Sequence, residues 1–348
     1  MGAMSRKRRK LMHVEVKLDD NEVDNGDGMI TSRYFPSKKI TGTLSATEQD
    51  NYVSCVDIGA IKIMSSDEYF DRMDRITNDD PKQWDRPLSK ETVSQLQNNE
   101  GVPGNFLSIF SRVRKMRSQM LATPVDTMGC PRIPLLVSKQ FGISRSQVRP
   151  VDYRLQLLIS LILASQTKDE TVTKAMHNIM SYCFDDLKDP LGISLSSLSR
   201  VPRSILEQLI KPTGFYKRKA LYIEQTVHKL EESFDGDVPK TISGMTSLSG
   251  VGPKIGYLAL QKSWGLVDGI CVDVHVHRLC RLWKWVDPQI CHTAEQTRVS
   301  VEKWLPRELW YDFNTILVGF GQIICGPKIR RCDICLANKV CNASSARW

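Results

Sequence analysis

Leu248-Ser249-Gly250-Val251-Gly252-Pro253-Lys254, continuing as IGYLALQKSWGLVDGICVDVHVHR to Arg278, decides how the chain is read. The first five residues form a short turn between two helical patterns. Gly250 and Gly252 permit backbone angles that a side chain would forbid. Pro253 suits the first position of the following helix. Ile255, Leu258 and Ala259 give that helix an apolar face at 3/4 spacing. A tight glycine turn feeding a helix start leaves several N–H groups unpaired, which makes a cradle for phosphate. This is the form of a helix-hairpin-helix that grips a DNA backbone without reading bases. Lys254 falls in the first turn, where the positive helix end disfavours a second positive charge. Burial would act the same way and leave more of the neutral, nucleophilic amine. Nineteen residues later Asp273 reads as the N-cap of a further helix. An amine and a carboxylate, each at a helix start, can then meet across one groove.

Composition agrees with a polyanionic partner. Residues 1–100 hold 15 Lys+Arg and 18 Asp+Glu, out of 48 and 39 in the whole chain. The positive charge therefore lies in the part that carries the motifs. The 348 residues suffice for one large or two medium domains. No apolar run approaches the length of a membrane span, so no membrane association is expected.

Outward from the hairpin, Phe106, Ile109, Phe110, Val113, Met116 and Met120 form a helical apolar stripe, with Arg112, Arg114, Lys115 and Arg117 mostly on the solvated face. Leu155–Ala164 is apolar almost all round, the mark of a buried central helix. Helices are expected around 170–183, 203–211, 217–234 and 308–324, with Thr293-Ala294-Glu295-Gln296 as a capping box. Lys211–Lys219 is a basic loop with Phe215 inside it; an apolar wedge can unstack bases, and its Lys and Arg can neutralise phosphates. Residues 18–100 show little periodicity and read as mostly disordered, with order beginning near Asn105. Ile58–Met64 reads as a short strand or a sticky segment, and Tyr34-Phe35-Pro36 as a docking peptide for an unidentified partner. Arg6–Lys10 is a basic run of the kind used as a nuclear address.

Ten cysteines are present, and four of them, Cys325, Cys332, Cys335 and Cys341, cluster as C-x6-C-x2-C-x5-C. Four thiolates at this range suit one zinc ion or one iron–sulfur cluster. Spacing alone leaves both open. Without a secretory signal, disulfides are the weaker reading.

The pattern L-x-G-V-G-x-K…V-D-x-H-V-x-R resembles the endonuclease III family of DNA glycosylase/lyases, in the helix-hairpin-helix–Gly/Pro–Asp superfamily. Gly250–Lys254, Trp264-Gly265, Val272–Arg278 and Pro124–Asp126 fit its eukaryotic branch best. The resemblance covers roughly residues 105–342. It implies an all-α, two-lobed fold: residues 150–267 as a helical barrel lobe, 105–149 with 268–342 as the cluster lobe, and 1–104 as an N-terminal extension. It implies Lys254 as nucleophile and Asp273 as its carboxylate partner. Gln166 enters the gap left by a displaced nucleotide, Phe215 acts as the wedge, and His275 lies near the flipped base. A 4Fe–4S cluster on the four cysteines would present Lys328, Arg330 and Arg331 to DNA. The implied enzyme is a bifunctional glycosylase/AP lyase acting on oxidised pyrimidines or abasic sites in double-stranded DNA. It would work as a monomer in the nucleus, with the mitochondrion as a second compartment. The sequence departs from the family at Ser249, where Pro is usual, and at Ala164, where Ser is usual. A monofunctional mismatch adenine glycosylase, a non-catalytic DNA-binding module and a DNA-regulated redox site are the competing readings.

Overall fold

The computed structural model describes residues 58–77, 80–120 and 123–345. The basic run Arg6–Lys10, the Tyr34-Phe35-Pro36 peptide and Cys55 lie outside them. The described chain is helical; its one extended pairing is an isolated bridge between Cys325 and Arg330.

Two hydrophobic clusters organise it. The first surrounds the helix Pro150–Leu163, which starts with Pro150 at its first turn and buries every residue from Asp152 to Leu163. Helices Ile133–Gln140, Asp169–Ser181, Tyr216–Ser233 and Pro253–Trp264 pack around it. Arg154, inside this core, is held bidentate by Asp237 at 2.9 and 2.7 Å and lies over Trp264 at 4.2 Å. A buried charge needs such pairing, and losing one partner typically costs about 3–5 kcal/mol. The second cluster joins Phe106–Gln119, Val274–Leu282 and Trp310–Ile323 around Phe106, Trp283, Trp285 and Phe313. The two clusters meet where Gln261 donates to the Tyr311 carbonyl at 3.2 Å, and beside this, within the second cluster's segments, Asn314 donates to the Cys271 carbonyl at 2.8 Å.

Several expectations hold at this level. Phe106, Ile109, Phe110, Val113, Met116 and Met120 are all buried. Thr293 and Gln296 form the expected capping box, opening the helix Ala294–Glu302. The last major helix is Trp310–Ile323, after a single 3-10 turn at Arg307–Leu309.

Others are corrected. Order does not begin near Asn105: helices Ile58–Ile63, Ser66–Thr77 and Lys90–Asn98 precede it. Their apolar residues are few, and most of those described are engaged, Ile63 being exposed. Ile61, Tyr69, Phe70 and Met73 join the first cluster, and Trp84 and Leu96 the second. The segment at Ile58 is a helix, not a strand. Cys130, Ile133, Val137 and Val148 pack in the first cluster. The crossover between clusters therefore falls before Cys130 rather than at residue 149. Arg114 and Arg117 are buried, while Arg112 and Lys115 are exposed. Arg117 pairs with Asp126 at 2.8 Å and stacks over Trp84, so two of the four cations serve the core.

Candidate active site and nucleic-acid interface

The hairpin consists of Ile242–Thr246, the turn 247–252, and Pro253–Trp264. Gly250 has φ +77°, and a Cβ there would fall 2.4 Å from the Tyr222 ring. Both its backbone angle and its space exclude a side chain. At Gly256 a Cβ would lie 2.7 Å from Ile242 Cδ1, so this glycine lets the two hairpin helices close. The buried face of the second helix centres on Gly256, Ala259 and Leu260, with Ile255 and Leu258 at its half-buried flanks. Val251 N–H donates to the Leu248 carbonyl and Gly256 N–H to that of Gly252. The amides of Gly250, Gly252 and Lys254 find no backbone acceptor among the described residues. They are a ready anion cradle.

Lys254 sits in the first turn, as expected, but its side chain is exposed rather than buried. Among the described residues no hydrogen bond or close ion pair engages its amine. Its charge nevertheless reaches three groups. The Cys271 thiol, raised to about 12 by burial, is lowered by Lys254 and raised by Asp273. Cys130, likewise pushed up to about 12 by burial, is lowered by Lys254. Asp169 is raised by burial and lowered by the same amine. Lys254 therefore stands near the start of the Asp169 helix and the strip leading to Asp273.

Asp273 caps the helix Val274–Leu282: its Oδ1 accepts from the N–H groups of His275 and Val276, both at 2.9 Å. Its other carboxylate oxygen makes no hydrogen bond among the described residues. Half-buried His275 lies behind the cap, 3.4 Å from Arg278 through Nδ1. Arg278 also donates to the Cys325 carbonyl at 2.6 Å, tying the first cysteine of the C-terminal cluster to the helix that Asp273 caps. An open depression lined by Asn99, Asp268, Glu302, Trp304 and Trp310 involves none of these groups.

Gln166 and Phe215, 49 residues apart, belong to adjacent turns. Gln166 is exposed and left-handed at φ +51°. Phe215 is 61% exposed, with φ +56°. An aromatic anchoring its loop to the core would be buried, so that reading is excluded. The basic loop divides: Lys211, Lys217 and Arg218 are exposed, whereas Lys219 is 4% exposed. Expected to face phosphate, Lys219 instead turns inward to protein oxygens.

In the cysteine loop Cys325 is buried and Cys332, Cys335 and Cys341 are half-buried, all as free thiols. Cys335 is raised to about 12, mainly by burial, with the charges of Cys325, Cys341 and Cys332 adding to it, so the four lie within electrostatic reach of one another. Among the described residues, no three His, Cys, Asp or Glu side chains converge tightly enough for a single metal ion. The two observations are compatible, because a four-iron cluster spreads its four thiolates around a larger body than one ion does. The donor set fits such a cluster. Lys328, Arg330 and Arg331 are exposed between the first two cysteines. Arg330 donates to the Ala343 carbonyl at 3.1 Å, and Arg331 lies 3.5 Å from Asp333.

The family model described as the HhH-GPD superfamily base excision DNA repair protein matches residues 159–307. The endonuclease III homolog 2 of Saccharomyces cerevisiae is 47% identical over 346 residues, covering 97% of this chain and 88% of that protein. The endonuclease III homolog 1 of the same yeast is 45% identical over 269 residues, covering 77% of this chain and 67% of that protein. A solved structure of a trapped endonuclease III–DNA covalent intermediate covers 60% of this chain and 92% of its own, at 23% identity and a TM-score of 0.49, too loose a likeness to add to the assignment. With a near-complete match to a relative at 47% identity, the chain belongs to the endonuclease III family of base excision repair DNA glycosylases.

Proposed function

We propose that this chain is a bifunctional glycosylase/AP lyase that removes oxidised pyrimidines from duplex nuclear DNA and then nicks the strand. The observation that carries the reading is the pair at two helix starts. The Lys254 amine is exposed and unengaged among the described residues, and Asp273 spends only one carboxylate oxygen on its cap.

The sugar C1′ is inaccessible inside a duplex, so the damaged nucleotide must leave the stack. The amides of Gly250 and Gly252 grip phosphate while Gln166 and Phe215 fill the vacated space. His275 lies beside the base pocket. The Lys254 lone pair attacks C1′; the glycosidic bond breaks, and its electrons leave with the base, which takes up a proton. The Asp273 carboxylate offsets positive charge on the sugar and receives or relays protons from the amine. Opening of the sugar ring gives a Schiff base. Loss of a C2′ proton then expels the 3′ phosphate by β-elimination, and water releases the enzyme. Cys325, Cys332, Cys335 and Cys341 would hold a 4Fe–4S cluster, whose contribution is to shape the loop. Lys328, Arg330 and Arg331 on that loop would meet phosphate.

The test is borohydride trapping on duplex DNA carrying one thymine glycol. Wild type should give a covalent adduct, and Lys254→Gln should give none. Asp273→Asn should lose most base release yet keep its melting temperature, because Asn is as good an N-cap as Asp. An adduct that persists with Lys254→Gln moves the nucleophile elsewhere. Base release without an adduct in wild type would favour a monofunctional glycosylase.

A further inference from the structure

Lys219 touches both exposed turns. Its ammonium donates to the Leu163 carbonyl at 2.8 Å, the Ser165 carbonyl at 2.8 Å and Thr167 Oγ1 at 2.7 Å. Those three oxygens bracket Gln166. Its own backbone N–H donates to the Phe215 carbonyl at 3.0 Å. A Cβ on Gly214 would lie 3.6 Å from the Gln166 carbonyl, so the two turns are in contact.

The chemistry of the grip is specific. A lysine ammonium carries three donors and no acceptor, and here it meets three acceptors. Leu163 ends the central helix Pro150–Leu163, whose last carbonyls favour a cation. Gln166 and Phe215 both hold a left-handed backbone, which residues with side chains adopt only at a cost. Such angles persist where surrounding contacts over-determine them.

We propose that Lys219 is a positioning residue that locks Gln166 and Phe215 into one two-pronged wedge, presented to DNA already in shape. This rests on the reading of Gln166 and Phe215 as the groups that fill the displaced nucleotide's place. Lys219 itself is buried and would touch no DNA. Removing its ammonium leaves the oxygens around Gln166 unpaired and frees the two turns to relax independently. The wedge would then have to be ordered during each encounter, lowering the population competent to insert.

The experiment compares two substrates under single-turnover conditions. In one, thymine glycol is paired with adenine; in the other it faces a one-nucleotide gap, where no partner base remains to be displaced. A 2-aminopurine beside the lesion reports unstacking by fluorescence. Lys219→Met should slow base release from the paired lesion by at least about tenfold and abolish most of the fluorescence rise, while slowing the gapped substrate by less than about threefold. Lys219→Arg, which keeps the charge but has a planar fork, should fall between. Gln166→Ala/Phe215→Ala runs beside them. Equal slowing of both substrates by Lys219→Met, or no slowing of either while the double variant discriminates, would overturn the role of Lys219 and leave the wedge intact. A double variant that treats both substrates alike would overturn the wedge reading, and the proposal with it.

Discussion

The helical hairpin and the cysteine loop both turn backbone and positive charge outward, but they are held in opposite ways. The hairpin is packed into shape. Leu248 and Val251 are buried, Gly250 lies against Tyr222, and Gly256 lets Ile242 close on the second helix. The stretch of the cysteine loop from Gly326 to Arg331 has little of this. Ile329 is 74% exposed, the basic residues beside it are exposed, and three of the loop's four thiols are only half-buried. That stretch is held by a few hydrogen bonds, such as those of Arg278 and Arg331 N–H to the Cys325 and Ile324 carbonyls, whereas further on Ala337 is buried and Ile334, Leu336 and Val340 pack half-buried against the second cluster. One surface is specified by close packing. On the proposed reading, the exposed part of the other would be held through a group that its thiols bind in common.

The largest effect expected from this contrast is at Gly250. Gly250→Val would place a branched side chain at φ +77° against the Tyr222 ring. We expect a loss of about 2–4 kcal/mol in urea unfolding, with DNA binding lost alongside. A wild-type unfolding curve would show that packing does not specify the turn. Next is Cys335→Ser. It should release iron and weaken binding to lesion-free duplex about tenfold, or 1.4 kcal/mol, while the urea midpoint moves much less than for Gly250→Val. Collapse of the whole helical signal on losing iron would erase the distinction between the two regions. Arg330→Ala/Arg331→Ala sharpens the loop's side of it. If each cation neutralises one phosphate, the slope of log K against log salt should flatten by about 1.8, with little change in melting temperature.

The most gradual effect concerns Lys219. Burial lowers its pKa to about 8 from an ordinary 10.5. Between those values the unfolded chain binds the extra proton, so wild-type stability should rise with pH across that window, by about 1.4 kcal/mol per pH unit at most. Lys219→Met should lack this increment. Parallel stability profiles for the two proteins from pH 8 to 10 would mean that the amine titrates normally.

What the sequence disclosed was local. Gly-Val-Gly-Pro, the Asp273 cap and the all-apolar run at Leu155 each state their structure within a few residues. The N-terminal helices were harder because their burial is tertiary. Tyr69 donates to the Ser263 carbonyl 194 residues away, and Ile76 lies against Gly265. Two signals were nevertheless present. Ser65 and Glu68 form a reciprocal cap at the start of one helix, and Ser89 caps another. Tyr69, Phe70, Met73 and Ile76 follow helical spacing. Arg117 and Lys219 show a different limit. Both sit among other cations, and only distant partners, Asp126 with Trp84 and the Gln166 turn, turn them inward.

The docking of Ser66–Thr77 has a practical corollary for anyone trimming this chain. A version begun at Asn105 would retain every side chain assigned to chemistry. It would also strip Tyr69 from Ser263, Ile76 from Gly265 and Trp84 from Arg117, unroofing the helix that carries Lys254. Trimming this chain by its chemistry alone would therefore discard contacts that its fold uses, those made by the segments from Ile58 onward.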